Sequence, residues 1–359
     1  KQSKESFIMA RNRVIYQSEA LYVSKEATST GADNHEQLTR VQSANYSYSI
    51  NRQDVNQYGQ LARIDSLVLD PPTVSIDFSY YLTDGFNERV LDFYVQTGST
   101  LGIMAEGNFA SGHMNAGSGV NVYVVTSPAG NDINLGGEID GTDKIIGVGN
   151  CYLSDYSIDL SVGSLPTASC TLEGANMASS TGCNIPTQGT IVNPSINQES
   201  GTATTRTPII LPTPTSGQET QVTALRPGDI TMTLENFDGE TIVDLKGDDS
   251  CNVQSASISI PLSRSPLDRL GSLFPFAREV DFPVVSTLSV SALMNDIGGT
   301  PAIKWEFKGA LIESENYSSS IGSNKSVDLT FTTQIGGPED LAAGVFMSGA
   351  TTGSVFGVF

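Results

Sequence analysis

Histidine is scarce in this chain, with two residues in 359. His35 sits in GADNHEQ and His113 in ASGHMNAGSG, both polar stretches that read as loops. Cysteine is nearly as scarce, and Cys151, Cys170, Cys183 and Cys251 form no CxxC pair and no metal-ligand spacing. So few imidazoles and such scattered thiols leave no zinc site to expect. The thiols read as buried or reduced, in a protein assembled in a reducing cytoplasm, with a Cys151 to Cys170 cross-strand bridge as the other reading. Long apolar runs are missing too. No stretch of about 18 apolar residues occurs, so no helix is expected to span a membrane. The C-terminal GVFMSGATTGSVFGVF is apolar but broken by Gly, Ser and Thr, and the N-terminal KQSKESFIMARNRVIYQSEA shows no apolar signal-peptide core.

Positive charge is the third shortage, 19 Lys and Arg against 39 Asp and Glu, a net of −20. Affinity for nucleic acid comes largely from Lys and Arg displacing counterions, so a chain this acidic is not built to grip DNA or RNA. It could still surround nucleic acid without holding it. Catalytic signatures are lacking as well: no GxSxG, Walker A or HExxH occurs, and the glycines from Gly98 to Gly119 do not join a strand to a helix as a dinucleotide site requires. The carboxylate pairs Asp140/Asp143 in DGTD and Asp248/Asp249 in GDDS have the type of a Ca²⁺ site or a glycosidase pair, and equally of solvated turn acids in an acidic protein. The sequence therefore predicts no enzyme, metal or cofactor.

What is abundant is glycine (35) and proline (16) among many Ser and Thr, the composition of short strands joined by turns. Helical signal is confined to Asn87–Tyr94 and to Pro338–Met347, where Pro and acids stand as helix starts prefer, with a turn over Asp54–Gln60. The chain also repeats itself. Laid without a gap over Val253–Asp296, an offset of 212, Val41–Asp84 shows 12 identities in 44 positions. Ile158–Leu172 overlays Tyr317–Phe331 at an offset of 159, each a strand, a Gly-Ser turn and a returning strand. The expected organisation is an N-terminal arm and first strand (1–40), a β-domain (41–177) with an insertion at about 85–149, a Pro/Thr/Ser-rich linker (178–225) and a second β-domain (226–359).

Alternation assigns faces to the strands. In VQSANYSYSI, Ala44, Tyr46, Tyr48 and Ile50 oppose Ser43, Asn45, Ser47 and Ser49. VQSASISIPL repeats the serine row with Ser255, Ser257 and Ser259. TVSIDFSYY sets Val74, Ile76, Phe78 and Tyr80 against Ser75, Asp77 and Ser79, and DYSIDLSVG sets Tyr156, Ile158, Leu160 and Val162 against Ser157, Asp159 and Ser161. SVDLTFTT follows suit with Val327, Leu329 and Phe331 against Asp328, Thr330 and Thr332. The outer faces carry Ser, Thr, Asn and Asp and no Lys or Arg. An acidic, Ser-rich chain shows such faces by composition alone; the sharper reading is a wall wetted by hydroxyls that repels phosphate through its carboxylates, which suits a surface that a polyanion slides past.

Three stretches carry a family resemblance: LTRVQSANYSYSINRQDVNQYGQLARIDSLVLDPPTVSIDFSYYLTDGFNE, then NCYLSDYSIDLSVGSLPTASCTLEGANM with LRPGDI, and a closing IGSNKSVDLTFTTQIGGPEDLAAG. Together they resemble the major tail (tail tube) proteins of long-tailed, siphovirus-type bacteriophages. The resemblance implies an all-β fold with minor α, two tandem tail-tube-like β-sandwich domains, each with a short flanking helix and each contributing to an inner β-barrel. It implies a virion tail protein, assembled in the host cytoplasm, whose stacked rings conduct double-stranded DNA without binding it. With two domains per chain where the family has one, three chains would make a pseudo-sixfold ring. Its partners would be other copies of itself, a tape measure protein in the lumen during assembly, and tail terminator and distal tail proteins, with no membrane insertion. The row residues would face the lumen, and Arg52, Asp54, Tyr58, Arg264, Asp268 and Arg269 would lie in loops bracing neighbouring subunits and rings. An extracellular β-sandwich binding module or adhesin is the alternative.

Overall fold

The computed structural model describes residues 19–24, 35–97, 107–114, 119–127, 144–181, 184–185, 207–208, 230–235, 252–270, 275, 277–293, 303–318, 326–337 and 340–349. The chain is all-β, mostly antiparallel, with one five-residue α-helix among the described residues. Most of the arm and the linker, the second pair of cysteines (Cys183, Cys251) and both carboxylate pairs lie outside the described residues.

The described residues begin with β1 (Glu19–Ser24) and β2 (Glu36–Gln37), then β3 (Val41–Ser49), a hairpin of β4 (Arg52–Val55) and β5 (Asp65–Val68), and β6 (Thr73–Tyr81). Helix α1 (Phe86–Val90), β7 (Gln96–Thr97) and a 3-10 turn (Ser111–Met114) lead to β8 (Val120–Thr126) and the long β9 (Lys144–Ser161). Then come β10 (Thr167–Gly174), β11 (Asn176–Thr181), β12 (Asn184–Ile185), β13 (Thr207–Pro208) and β14 (Ile230–Glu235). The second half contains β15 (Asn252–Pro261), a hairpin of β16 (Arg264–Leu267) and β17 (Ala277–Val280), β18 (Val284–Leu293), β19 (Ile303–Lys308), β20 (Leu311–Ser318), β21 (Ser326–Ile335) and β22 (Gly344–Gly349).

The repeat is structural to the residue. In the first half β3, β6, β10 and β9 pair in that order, and in the second half β15, β18, β21 and β20 do the same. Ser43 opposite Ser79 becomes Ser255 opposite Ser291, 212 residues on. Ser157 opposite Ser169 becomes Asn316 opposite Asp328, 159 residues on. Even the irregularities recur, one between Val41 and Ser43 and again between Val253 and Ser255. Bulges of this kind add twist and curvature to a sheet, so their repetition gives both halves the same bend.

β9 joins the halves. Its outer part pairs β10 on one side and β15 on the other, from Ser161 opposite Ser255 to Asp155 opposite Pro261, so eight strands run as one sheet in the order β3-β6-β10-β9-β15-β18-β21-β20. Its inner part, Lys144–Gly149, pairs β8 and β11. The change of partners falls at Asn150, which takes a left-handed conformation (φ 50) and whose N–H donates to Asn121 Oδ1 at 2.8 Å. A left-handed residue bends the strand, and Asn tolerates that conformation through local side-chain bonding.

One hydrophobic cluster underlies both halves. Ile76, Phe78, Ile158 and Cys170 from the first and Ile258, Leu288, Leu329 and Phe331 from the second share it with Trp305, Phe307 and Met347 of a second sheet, β14-β19-β22-β7. Phe109 is the ring between the layers, 4.9 Å from Trp305, 5.3 Å from Tyr156 and 4.2 Å from Phe93, centroid to centroid. Edge and offset contacts of this kind add to the burial of large rings.

Several sequence expectations are corrected. Pro338–Met347 does not form the expected helix: Gly344–Gly349 is a strand between β19 and β7, because Val345, Phe346 and Met347 are all buried and a sheet interior accepts an unbroken apolar run. The only flanking helix among the described residues is therefore α1, in the first half. Cys151 and Cys170 are buried free thiols, not a bridge. His35 lies in a loop and His113 in the 3-10 turn, and both are buried, His113 edge-on to Phe93 at 4.7 Å. Tyr46 is 38% exposed and Val162 is exposed in the β9–β10 turn, so neither belongs to the core.

Candidate functional site

The outer rows fall on one face of the eight-stranded sheet. Because each ladder keeps side-chain parity, every row residue meets another row residue on the neighbouring strand. One line runs Ser43, Ser79, Ser169, Ser157, Ser259, Thr287, Thr332. A second runs Thr167, Asp159, Ser257, Ser289, Thr330, Ser314, and a third Ser161, Ser255, Ser291, Asp328, Asn316. Asn45, Asp77, Thr171 and Asp155 form a fourth on the first half, with Ser47 opposite Ser75 and Ser49 opposite Thr73 beyond it. All sixteen expected row residues lie on this face and none is buried. Among the described residues the face carries no Lys or Arg.

The sequence reading omitted the rows of β10, β18 and β20: Thr167, Ser169, Thr171, Thr287, Ser289, Ser291, Ser314 and Asn316. The same alternation exposes them, as TASCTLEG and VVSTLSVSAL show. On the opposite face Ile76, Phe78, Ile158, Ile258, Leu288 and Leu329 are buried, so the sheet has one dry and one wet side.

Three pairs of hydroxyls on the wet side bond to one another across the strands. Ser43 Oγ lies 2.7 Å from Ser79 Oγ and Ser47 Oγ 2.8 Å from Ser75 Oγ, and Ser318 bonds Ser326 in the same way. These cross-strand pairs fix the small side chains and leave a smooth surface. Its carboxylates are Asp77, Glu173, Asp155, Asp159 and Asp328. Partial burial raises the Asp155 carboxyl above the usual range. The wet side is concave where the halves meet: Asp159, Ser161, Ser255, Ser289, Asp328 and Thr330 line an open hollow.

The loop residues divide. On the β4–β5 hairpin Arg52 and Asp54 are exposed, Asp54 accepting from Arg63 at 2.9 Å, and Tyr58 is fully exposed. The same hairpin presents Leu61, Ile64, Leu67 and Leu69 to solvent. Its counterpart β16–β17 is anchored at Arg264, although Ser265, Pro266 and Leu267 are exposed. The Arg264 guanidinium lies 4.8 Å from the Tyr152 ring centroid and donates to the carbonyls of Arg278 and His113, both Tyr152 and His113 belonging to the first half. Burial lowers the Arg264 pKa. Asp268 and Arg269 are exposed at the tip.

Under the wall sits a buried acid. Glu88 of α1 accepts hydrogen bonds at Oε1 from Tyr80 (2.9 Å) and Tyr156 (3.1 Å), and burial raises its carboxyl pKa despite both donors. Its neighbours are the Tyr80 and Tyr156 rings and Cys170, within the shared hydrophobic cluster. Among the described residues no group of three His, Cys, Asp or Glu could hold a metal ion, and no helix is long and apolar enough to cross a membrane.

No family model matches the chain, and no curated protein does. Among solved structures, the chain is similar to the SPP1 tail tube, determined as a hybrid of solid-state NMR and cryo-EM, with a TM-score of 0.31 and 12% identity over 47% of this chain and 80% of that one.

Proposed function

We propose that this protein is the structural subunit of a siphovirus-type phage tail tube and conducts double-stranded DNA along its serine- and carboxylate-lined face. The observation that carries the reading is the eight-strand wall: wet, concave and, among the described residues, without a Lys or Arg on that face and ending in two strand edges. A wall whose carboxylates repel phosphate and whose other groups are small and neutral has little to hold a polyanion with, so DNA passes without a brake. The family resemblance of the sequence names the same role.

The two four-stranded units act as tandem tube domains, bounded near 41–177 and 226–359. Three chains close a pseudo-sixfold ring of twenty-four wall strands. At about 4.8 Å between strands such a barrel is roughly 37 Å across between backbones before tilt, and roughly 27 Å once about 5 Å of side chain is allowed on each side. Six chains would double the circumference to a bore far wider than a duplex needs. The exposed apolar hairpin β4–β5, and the tips at Asp268 and Arg269, brace neighbouring subunits and rings. An open stack needs ends and a length, which implies terminator and distal tail proteins and a tape measure protein inside during assembly in the host cytoplasm.

Cryo-electron microscopy of the purified chain tests this. Rings or hollow tubes with three chains per layer are expected. A monodisperse monomer at every concentration and salt condition overturns the tube, while six chains per layer overturns the trimer alone.

A further inference from the structure

The contact between the halves is a template for the contact between chains, and it fixes a register. Within the chain, the last strand of the first unit (β9) pairs the first strand of the second (β15). The corresponding last strand of the second unit is β20 and the first of the first unit is β3, and among the described residues each has a strand on one side only. A head-to-tail contact repeated by rotation closes a ring, and here the chain already contains one such contact.

We propose that β20 of one chain pairs antiparallel with β3 of a second copy of this chain, in the register of the internal junction. Ser157 opposite Ser259 transforms, by the offsets of 159 and 212, into Asn316 opposite Ser47. Ile158 opposite Ile258 becomes Tyr317 opposite Tyr46. In the internal junction both isoleucines are buried, at 0% and 1%, whereas Tyr317 and Tyr46 are 39% and 38% exposed, which is what the same positions look like at an open edge. The proposal rests on the tube reading and names the partner that reading leaves general.

Three further observations favour a second copy as the occupant. β3 is nine residues long with no charge and no proline, an edge without the usual defences against pairing. β1 and β8 residues sit beside Val41–Ala44 in a small pocket, and among the described residues no strand pairs the edge at Asn45–Ser49. In the transformed register Asn45, Ser47 and Ser49 meet Ser318, Asn316 and Ser314, so no like charges face each other and the hydroxyl rows continue across the seam. The hairpin contact is not copied whole: Tyr152, on which Arg264 lies, has Leu311 as its counterpart, and His113 belongs to the insertion. The strand pairing therefore carries the seam.

Backbone bonds Val162 N–H to Gln254 O and Leu262 N–H to Ser154 O bracket the internal ladder, so Ser157 and Ser259 form one of its close, non-hydrogen-bonded pairs. The test is the full-length Ser47→Cys/Asn316→Cys double variant, oxidised as assembled tubes, beside both single variants and a shifted pair, Ser43→Cys/Asn316→Cys. A covalent ladder of chains is expected from the first pair alone, because close opposed positions fit a disulfide. Tubes that form but cross-link no better than the single variants overturn the register and leave the tube standing; absence of any assembly by the wild-type chain overturns both. Should the double variant fail to assemble, amide hydrogen exchange on the wild-type chain decides: Tyr46, Tyr48 and Tyr317 should slow by roughly tenfold or more on assembly, and unchanged exchange overturns the pairing.

Discussion

Ile158 and Ile258 lie opposite each other across the β9–β15 ladder, both buried, although they come from different copies of the repeat. The two copies thus share one sheet and one hydrophobic cluster, and neither can lose its edge without exposing the other's core.

Ile258→Ala should therefore cost about 2–5 kcal/mol, the range for truncating a buried isoleucine, and it should do so for the whole molecule. Denaturant unfolding followed by Trp305 fluorescence and by far-ultraviolet circular dichroism should give one coincident transition in both proteins. Two separate transitions would mean that the copies fold independently.

Ser47→Lys and Ser259→Lys each place a cation on the wet face, where neither serine is buried. Folding and assembly should be retained while DNA passage slows, read as delayed genome ejection from particles carrying the variant. Misfolding of either variant would show that the assignment of faces is reversed.

Glu88 gives a pH dependence with a definite sign. Its folded pKa is raised, chiefly by burial, so the folded state holds its proton more tightly than the unfolded chain does. The stability this contributes is fully present below the unfolded value, near 4.3, and is lost as pH rises through the folded value. Glu88→Gln keeps the oxygen that Tyr80 and Tyr156 donate to and removes the titration, so its stability relative to wild type should increase with pH across that window. A difference that stays flat would place the carboxylate in an environment that solvates its charge.

Gly163 sits in the β9–β10 turn at φ 90, where Ser164 N–H returns to Ser161 O at 3.2 Å. Nothing lies within 4 Å of where a Cβ would stand, so the cost of Gly163→Ala is conformational alone. It should destabilise by about 1–2 kcal/mol, the left-handed penalty of an L-residue, measured as a lowered denaturation midpoint with an unchanged slope.

Much of the wall was legible in the chain. VQSANYSYSI and VQSASISIPL announced both the repeat and its polar rows, since alternation with a period of two is a local property of a strand. Other features were not. PEDLAAGVFM begins as a helix would, yet Gly344–Gly349 pairs with β19 and β7, because burial between two strands outweighs a weak local signal. His113 reads as a polar loop residue, and only the packing of Phe93 against it makes it part of the interior. Tyr46 alternates with the core, but its edge position leaves it half in water.

By itself the sequence determined that this is an all-β chain, that it repeats at offsets of 212 and 159, and which side chains of each strand share a face. Tertiary structure alone decided that β9 and β15 join the copies into one curved wall and that, among the described residues, β3 and β20 are its edges. The reason is physical: facing is set by neighbours two residues apart, whereas Ser161 and Ser255 meet only when the 93 residues between them have been closed into a loop, an outcome fixed by the pairing and burial of the whole sheet.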